Sequence, residues 1–332
     1  MPSAGDGPRS EPGHPTCERT EVNLRPLRAS LRLADRTLDL SRPVLMGVVN
    51  ANPDSFSDPG ARALDAQVAQ ALALADDGAT VIDVGGQSAS TGVPEVDPDV
   101  ERARVAPLVA AIAAERPDLV ISIDSYKPPV VAAALDAGAH IVNDVSGLRD
   151  PALAPLVADR GAAIVVMHTA AAPKQRLQET DLYDGDVVGV VGRFLAAKVA
   201  EARAAGIADD AIAVDPGPDF TKTPAQTVEV LRALDTVDPD GLPLLLALSR
   251  KDFVGALTLT RPKERLAGTL AAIAAVGNRP GVILRVHDVA EVRRFLTVLE
   301  ALTGDGEIDP ELRLADELRW AAGRPEGTTA LG

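Results

Sequence analysis

The sequence contains few aromatic residues and almost no cysteine. Phenylalanine, tryptophan and tyrosine make up 2% of the 332 residues, so the core must be built from alanine, valine, leucine and isoleucine, with no aromatic platform for stacking bases or sugars. Cys17 is the only cysteine, which excludes an internal disulfide bond and a zinc site built on cysteines. This cysteine usage fits the reducing environment of the cytoplasm.

Positive charge and long apolar runs are also scarce. The formal net charge is -15, and an acidic surface gains nothing from counterion release, so neither nucleic acids nor anionic membranes are expected partners. No segment approaches the roughly 20 apolar residues that span a bilayer, and the N-terminus lacks a basic stretch followed by an apolar one. We therefore expect a cytoplasmic protein in which a local basic cluster would bind any anionic substrate.

What the sequence does contain is a series of eight short apolar segments, seven of which end on a polar residue at the start of a loop. They cover residues 44–50, 80–86, 119–124, 140–144, 163–168, 211–215, 243–251 and 281–287. Nearly continuous valine, isoleucine, leucine and alanine is typical of parallel strands covered on both faces. Alanine-rich helical segments lie between them. Such alternation predicts either a closed (β/α)8 TIM barrel or an open doubly wound sheet.

The number of repeats favours the closed barrel, because eight strand–helix units complete one. In addition, no Gly-x-Gly-x-x-Gly turn follows the first strand, as a dinucleotide-binding sheet would have. Residues 1–20, rich in proline, glycine, serine and charge, are expected to be a disordered leader. The barrel domain would span 21–304 and begin with a strand pair at 22–42. Residues 305–332 would form an extra amphipathic helix, over 310–320, and a frayed tail.

Polar strand ends would meet at one mouth of such a barrel, where chemistry takes place. Asn50 opens a turn-rich loop; it could be a turn former, or its amide could bind Mg²⁺ or a phosphate oxygen. Asp124, Asn143 and Asp215 each end a strand. Any one of them alone is more often a helix N-cap, but three in one mouth indicate a binding site.

Positively charged residues follow the last two strands. Lys251, Arg285 and His287 lie where barrels commonly bind phosphate, so we expect an oxyanion-binding cluster, with structural ion pairing as the alternative for each. His168 also ends a strand, but a lone histidine there is more often a hydrogen-bonded scaffold residue.

Five segments carry motifs in a fixed order. Residues 50–58 (NANPDSFSD) resemble N-V-T-P-D-S-F-S-D, and 82–88 (IDVGGQS) resemble D-V-G-G-E-S. Residues 143–148 (NDVSGL), 249–257 (SRKDFVGAL) and 285–289 (RVHDV) match as closely. Together they resemble the dihydropteroate synthase family, the pterin-binding barrel enzymes of folate synthesis, over about residues 43–302.

The resemblance implies a transferase that joins 6-hydroxymethyl-dihydropterin pyrophosphate to 4-aminobenzoate and releases pyrophosphate. It also implies Mg²⁺ and a homodimer built on the last helices of the barrel. By the same resemblance the pterin would be hydrogen-bonded by Asp124, Asn143, Asp215 and Lys251, with Met167 and Phe220 lining its slot. Asp83 is also expected among the substrate-binding residues. The pyrophosphate would be bound by Asn50, with Mg²⁺, and by Arg285 and His287. The aminobenzoate would be bordered by Ser249 and Arg250. The expected catalytic residues are Asp124, Lys251, Arg285 and His287.

The loops beyond the strands depart from the family pattern. Where the family has G-G-E-S-T-R-P-G, residues 85–92 read GGQSASTG. The Thr-Arg-Pro that helps to hold pyrophosphate and aminobenzoate in the family is replaced by Ala89, Ser90 and Thr91. Ala171 and Ala247 replace glycines, and Asp219 adds a negative charge to the segment 215–223. These changes predict an intact pterin site beside an altered site for the second substrate.

Three functions stay open at this point. The retained strand ends favour a working dihydropteroate synthase, or an enzyme that joins the pterin to another nucleophile. The altered loop favours an impaired or inactive paralogue that binds pterin without turnover. A corrinoid methyltransferase that uses methyltetrahydrofolate is the third, and the segments 249–251 and 285–289 argue against it.

Overall fold

The computed structural model describes residues 25–51, 61–87, 94–175, 177–238, 240–304, 306 and 308–319. Eight parallel strands close into a barrel in the order β10-β3-β4-β5-β6-β7-β8-β9, which confirms the barrel over the open sheet. Four segments named in the sequence analysis lie wholly or mostly outside the described residues. They are the predicted leader, the loop after Asn50, the substituted residues 89–91 and the tail.

Every barrel strand is followed by one or two α-helices. The strands are β1 Ser30–Arg32, β2 Thr37–Asp39, β3 Val44–Asn50, β4 Val81–Gly85, β5 Val120–Asp124, β6 Ile141–Asp144, β7 Ala163–Met167, β8 Ile212–Asp215, β9 Leu244–Leu246 and β10 Val282–Val286. The α-helices are α1 Ala61–Asp76, α2 Pro98–Glu115, α3 Pro128–Asp136, α4 Leu153–Asp159, α5 Val187–Ala204, α6 Pro224–Arg232, α7 Leu234–Val237, α8 Asp252–Thr258, α9 Leu266–Ala272 and α10 Val289–Thr303. Among these helices, none is both long and apolar enough to cross a membrane.

The predicted strand pair closes the bottom of the barrel. Strands β1 and β2 pair antiparallel, with Leu31 opposite Leu38, and both leucines are buried in the same cluster as the barrel strands. The amide of Gly281, which precedes β10, donates to the carbonyl of Leu40 at 2.8 Å. The pair therefore lies at the amino ends of the strands, opposite the mouth.

The predicted C-terminal amphipathic helix is wrong over the described residues 308–319. That segment contains a single 3-10 turn, Asp316–Leu318, and its leucines at 312, 314 and 318 are 54% to 69% exposed. An isolated helix of this length is marginal in water unless one face is buried. Because no apolar face of the segment packs on the barrel, its sequence pattern alone does not form a helix.

Most strands end where the sequence predicts, and β9 is the exception. The prediction extended it to Lys251, whereas the strand ends at Leu246. Arg250 has φ +58°, a left-handed conformation that no strand contains, and Lys251 is already the N-cap of α8. Because the chain turns here instead of continuing as a strand, Ser249, Arg250 and Lys251 all lie at the mouth of the barrel.

One buried lysine anchors the loops after β4 and β5. Lys127 is 6% exposed, and its Nζ lies 2.8 Å from Oε2 of Glu101 on α2. The same Nζ donates to the carbonyl of Val96. A buried ammonium is tolerated only when it is paired and hydrogen-bonded. Lys127 therefore ties the segment before α2 to the end of β5.

A second buried lysine anchors the loop after β8. Lys222 has no exposed surface, and its Nζ lies 2.8 Å from Nδ1 of His168, 2.9 Å from the carbonyl oxygen of Gly217 and 3.1 Å from that of Phe220. Burial lowers the pKa of His168 to about 2, so the neutral ring accepts from the lysine. His168 is thus a scaffold residue, as expected.

Gly217 allows this loop to approach β7 closely. Its φ is +66°, and a methyl group on its Cα would lie 2.2 Å from the carbonyl oxygen of His168. Only glycine fits such a contact in that conformation. The loop that carries Phe220 is therefore packed directly on the end of β7.

We predict that Lys222 makes the unfolding free energy depend on pH. Burial lowers its pKa to about 7, whereas the unfolded chain keeps the proton to about pH 10. Between these values the unfolded state binds more protons, so the stability contributed by Lys222 rises with pH. The unfolding free energy of the wild type minus that of Lys222→Met should grow by about 2 kcal/mol from pH 7 to pH 9.

Urea denaturation at both pH values measures this difference. The exposed Lys263 provides the matched control, because Lys263→Met should keep the pH dependence of the wild type. Parallel stability curves for the wild type and Lys222→Met would contradict the prediction.

Candidate active site

A cavity of about 550 Å³ opens at the carboxyl ends of the strands. Its lining includes ten of the twelve residues expected to bind substrate: Asp124, Asn143, Met167, Asp215, Phe220, Ser249, Arg250, Lys251, Arg285 and His287. They come from six strands and the loops that follow them. The closed barrel brings these residues into one chamber although they are spread over more than 160 positions of the sequence.

An arginine shared by two carboxylates lies on one side of the cavity. Nε of Arg285 lies 2.7 Å from Oδ2 of Asp83, and its Nη2 lies 2.9 Å from Oδ2 of Asp124. Burial raises the pKa of Asp124 to about 7; the positive charge of Arg285 opposes this shift and the negative charge of Asp83 adds to it.

A second buried carboxylate and an amide complete the floor. Asp215 accepts from the amide of Gly217 at 2.7 Å, and burial raises its pKa to about 6. Asn143, on β6, is 2% exposed, and its Oδ1 is buried without a hydrogen-bond partner among the described residues. A carboxylate and an unsatisfied amide oxygen together suit a flat ring with N–H donors along its edge.

An aromatic ring and an ammonium also line the cavity. Nζ of Lys251 lies 4.4 Å from the centroid of the Phe220 ring, which is cation–π contact. Burial lowers the pKa of Lys251, while the nearby Asp219 and Asp215 oppose that shift. Met167 and Ala247 line the cavity as well, so a planar ligand would meet an apolar slot beside a positive charge.

The rim carries further basic groups. Nδ1 of His287 lies 3.0 Å from Oγ of Ser249, and burial, with the charge of Arg285 adding to it, lowers the pKa of this histidine. Nε of Arg250 donates to Asp288 at 3.0 Å, so its guanidinium is held by an ion pair at the cavity wall. Lys251, Arg285 and His287 thus line one cavity, and Arg285 also makes the ion pairs that were its alternative role.

Asp219 lines the cavity, but its carboxylate is satisfied within the protein. Its Oδ2 accepts from the amides of Asp252 at 2.5 Å and Phe253 at 3.3 Å, and its Oδ1 accepts from Thr227 at 3.1 Å. The added charge thus stabilises the start of α8. This contact links the Phe220 loop to the segment that carries Lys251.

Two expected binding residues do not line the cavity. Asp83 lies beneath it, fully buried, and contacts Arg285 and Asn143. Asn50 ends β3 with an exposed side chain. Asn50 and Asp124 both lie close to Gly85, because a methyl group on that glycine would be 3.8 Å from Oδ1 of Asn50 and 3.7 Å from Asp124. Asn50 is therefore near the site, on the side of the mouth next to Asp124.

The sequence analysis missed several residues that form the cavity wall. They are Gln87, Tyr126, Thr169, Lys174 and Gln178. Nε2 of Gln87 donates to the Tyr126 hydroxyl at 3.2 Å, which in turn donates to Glu95 at 2.8 Å. Tyr126 and Thr169 follow strand ends by one or two positions, which was the only signal of their location.

Comparison with known proteins agrees with this geometry. Residues 46–287 match the family model described as pterin binding enzyme. Dihydropteroate synthase of Escherichia coli strain K12 is 40% identical over 266 residues, which cover 80% of this chain and 93% of the relative. Inactive dihydropteroate synthase 2 of Mycobacterium bovis is 37% identical over 276 residues, which cover 82% and 86%.

Solved structures are similar over the same region. Dihydropteroate synthase of Xanthomonas albilineans, solved with 4-aminobenzoic acid, has a TM-score of 0.74 and 39% identity, covering 83% of this chain and 98% of that one. The same enzyme in complex with 7,8-dihydropteroate has a TM-score of 0.72 at 39% identity, covering 82% and 98%. The barrel, the cavity and these matches together show that the chain belongs to the dihydropteroate synthase family of pterin-binding enzymes.

Proposed function

We propose that the protein transfers the pterin methylene of 6-hydroxymethyl-dihydropterin pyrophosphate to the amine of 4-aminobenzoate, with release of pyrophosphate. The observation that carries this proposal is one cavity in which Asp124, Asn143 and Asp215 are opposed by Lys251, Arg285 and His287. The relatives that bind 4-aminobenzoic acid and dihydropteroate support the same substrates.

The charge arrangement suits this reaction. Departure of pyrophosphate leaves negative charge on the leaving group and positive charge on the pterin methylene. Fixed positive charge beside the leaving group and carboxylates beside the ring stabilise that separation without moving during the reaction. In this role Arg285 and His287 bind the leaving group and Lys251 binds the ring, while Asp124 and Asp215 accept from the ring and offset its cationic character.

Turnover is tested by pyrophosphate release from the purified protein, with and without 4-aminobenzoate. We expect release that depends on the amine, and a loss of about 100-fold or more in Lys251→Met, because removal of one preorganised electrostatic group has that effect on kcat. Lys263→Met, at an exposed position, should match the wild type. Pterin binding without turnover would instead identify an inactive paralogue, as the Mycobacterium bovis relative is named.

We also propose that Mg²⁺ takes part, bound by the Asn50 amide oxygen and by pyrophosphate oxygens. The described residues contain no group of three or more histidine, cysteine or acidic side chains able to hold a metal. A site with so few metal-binding side chains fits Mg²⁺, because this ion is commonly bound through one or two protein oxygens plus substrate phosphates and water. When bound, the ion would neutralise charge on the leaving group.

Magnesium dependence provides the corresponding test. Chelation of Mg²⁺ should lower turnover by about tenfold or more, and Asn50→Ala should raise the half-saturating Mg²⁺ concentration several-fold, since one ligand is lost. Asn278→Ala, far from the mouth at the end of the helical segment after α9, serves as the control. An unchanged half-saturating concentration in Asn50→Ala would exclude that residue as a ligand.

We further propose a cytoplasmic homodimer that forms through α8 and α10. The apolar side chains of Leu257, Leu259, Val298 and Leu302 on or next to these helices are 60% to 92% exposed. These helices follow the adjacent strands β9 and β10, and several large exposed apolar residues are typical of an interaction surface. The single cysteine is consistent with a reducing compartment.

Light scattering should therefore report twice the 34.4 kDa mass of one chain. The double variant Leu259→Lys with Leu302→Lys should be monomeric, because two buried charges per subunit would oppose association. Leu312→Lys alters a leucine that is 69% exposed outside these helices and should remain dimeric. A monomeric wild type at micromolar concentration would overturn the proposal.

A further inference from the structure

Asp83 occupies an unusual place for a charged residue. It is the middle residue of β4 and has no exposed surface. In the barrel it is in register with Ser122, which is two residues before Asp124 on β5. Because residues two apart on a strand share a face, Asp83 points into the barrel one layer below the substrate cavity.

All hydrogen bonds of the Asp83 carboxylate pass through one oxygen. Its Oδ2 accepts from Nε of Arg285 at 2.7 Å and from Nδ2 of Asn143 at 3.2 Å. Its Oδ1 is buried and has no partner among the described residues. One carboxylate on β4 thus holds two cavity residues, from β10 on one side and β6 on the other.

These two contacts determine what a ligand meets. An ionised carboxylate can only accept hydrogen bonds, so it keeps the NH₂ group of Asn143 turned down and the amide oxygen free to accept from a ligand. For Arg285 it occupies Nε, while Asp124 takes Nη2 at 2.9 Å. Asp83 and Asp124 therefore fix the orientation of the guanidinium. Its other N–H groups make no hydrogen bond among the described residues, so these can bind an anion.

We propose that Asp83 is a positioning residue: from beneath the cavity it fixes the Asn143 amide as an acceptor and holds the Arg285 guanidinium in place, without touching the substrate. The inference rests on the proposed transfer reaction, and it changes the expected role of Asp83 from binding the substrate to orienting the groups that bind it. The ligand class it selects is a ring that presents an N–H donor to Asn143.

Asp83 also acts electrostatically on Asp124. The charges that act most strongly on the pKa of Asp124 are those of Arg285 on β10, Asp83 on β4, Glu101 on α2 and Lys174 in the loop after β7. Burial raises the pKa of Asp124; Arg285 and Lys174 lower it, and Asp83 and Glu101 raise it. Loss of the Asp83 charge should therefore lower the pKa of Asp124. A residue that only filled space would not move this titration.

The main test compares Asp83→Asn with Asp144→Asn. Asp144 is equally buried and ends β6, two strands away from β4, but it accepts from the amides of Ser146 and Leu148 rather than from cavity residues. Calorimetry with 6-hydroxymethyl-dihydropterin, pyrophosphate-release kinetics and urea denaturation are measured for both variants across pH 5 to 9.

In Asp83→Asn we expect pterin affinity to fall about tenfold, and kcat to fall at least as much, since a mobile Arg285 no longer meets the leaving group. Acidification weakens pterin binding by protonating Asp124. The pH at which binding is half lost, which is the acid-side midpoint, should therefore move to a lower value. Asp144→Asn should lose stability and keep that midpoint. Wild-type affinity, kcat and midpoint in a folded Asp83→Asn would overturn the proposal.

A measurement on the wild type covers the case in which Asp83→Asn does not fold. Side-chain ¹⁵N relaxation should find Nε of Arg285 and Nδ2 of Asn143 rigid in the ligand-free protein, with order parameters near the backbone value of about 0.85. A freely rotating Asn143 amide would overturn the inference. Because pterin binding and relaxation need no turnover, an inactive wild type would refute the proposed function while leaving this inference to be judged separately.

Discussion

The arginine held between two carboxylates is the interaction on which the rest of the site depends. Arg285 joins the last barrel strand to β4 and β5, so the ion pairs span the seam where the barrel closes. Desolvation of these charges is costly, and loss of one partner would leave another buried without compensation. The same pairs hold a cation at the wall of the cavity and set the charge of Asp124. The same ion pairs therefore stabilise the closed barrel and position the charged groups of the cavity.

Two other buried cations extend this arrangement to the loops. Lys127 joins the end of β5 to α2 and the segment before it. Lys222 joins the loop after β8 to the end of β7. In both cases an ammonium provides several directed hydrogen bonds at once, which an irregular segment needs for its unpaired carbonyl groups. Phe220 and Tyr126, on either side of the cavity, are positioned by these anchors. The loops at the mouth have irregular structure, but the hydrogen bonds of these two lysines tie them to the ends of the strands.

Departures from the family pattern have unequal consequences in the structure. Asp219 replaces a glycine in a left-handed conformation at φ +64°, and its carboxylate offsets the strain by capping α8. Ala247 adds a methyl group to the cavity wall. The floor, with Asp124, Asn143 and Asp215, is unaffected by either. The changed loops thus surround an unchanged floor, as the sequence comparison with the motifs implies, and the question of activity concerns the second substrate rather than the pterin.

The strand ends were predictable because they depend on local rules. Apolar runs followed by a polar residue determine where a buried parallel strand stops, and this placed Asn50, Asp124 and Asp215 correctly. The motifs then identified ten cavity residues. Where the polar residue belonged to a turn, as at Arg250, the same rule extended β9 too far. The amphipathic pattern after α10 failed for a related reason, since a pattern forms a helix only when a surface exists to bury it.

The sequence by itself determined the closed barrel, the residues at its mouth and the family. Tertiary structure decided which polar residues face the ligand and which lie behind them. Asp83 and Asp124 are acidic residues of adjacent strands, and the resemblance to the family assigned both to the substrate, although Asp83 lies in the middle of its strand and Asp124 at the end. Pairing register and the layering of the barrel interior make that distinction. Burial and neighbouring charge, which depend on contacts between distant parts of the chain, then set the protonation of each group.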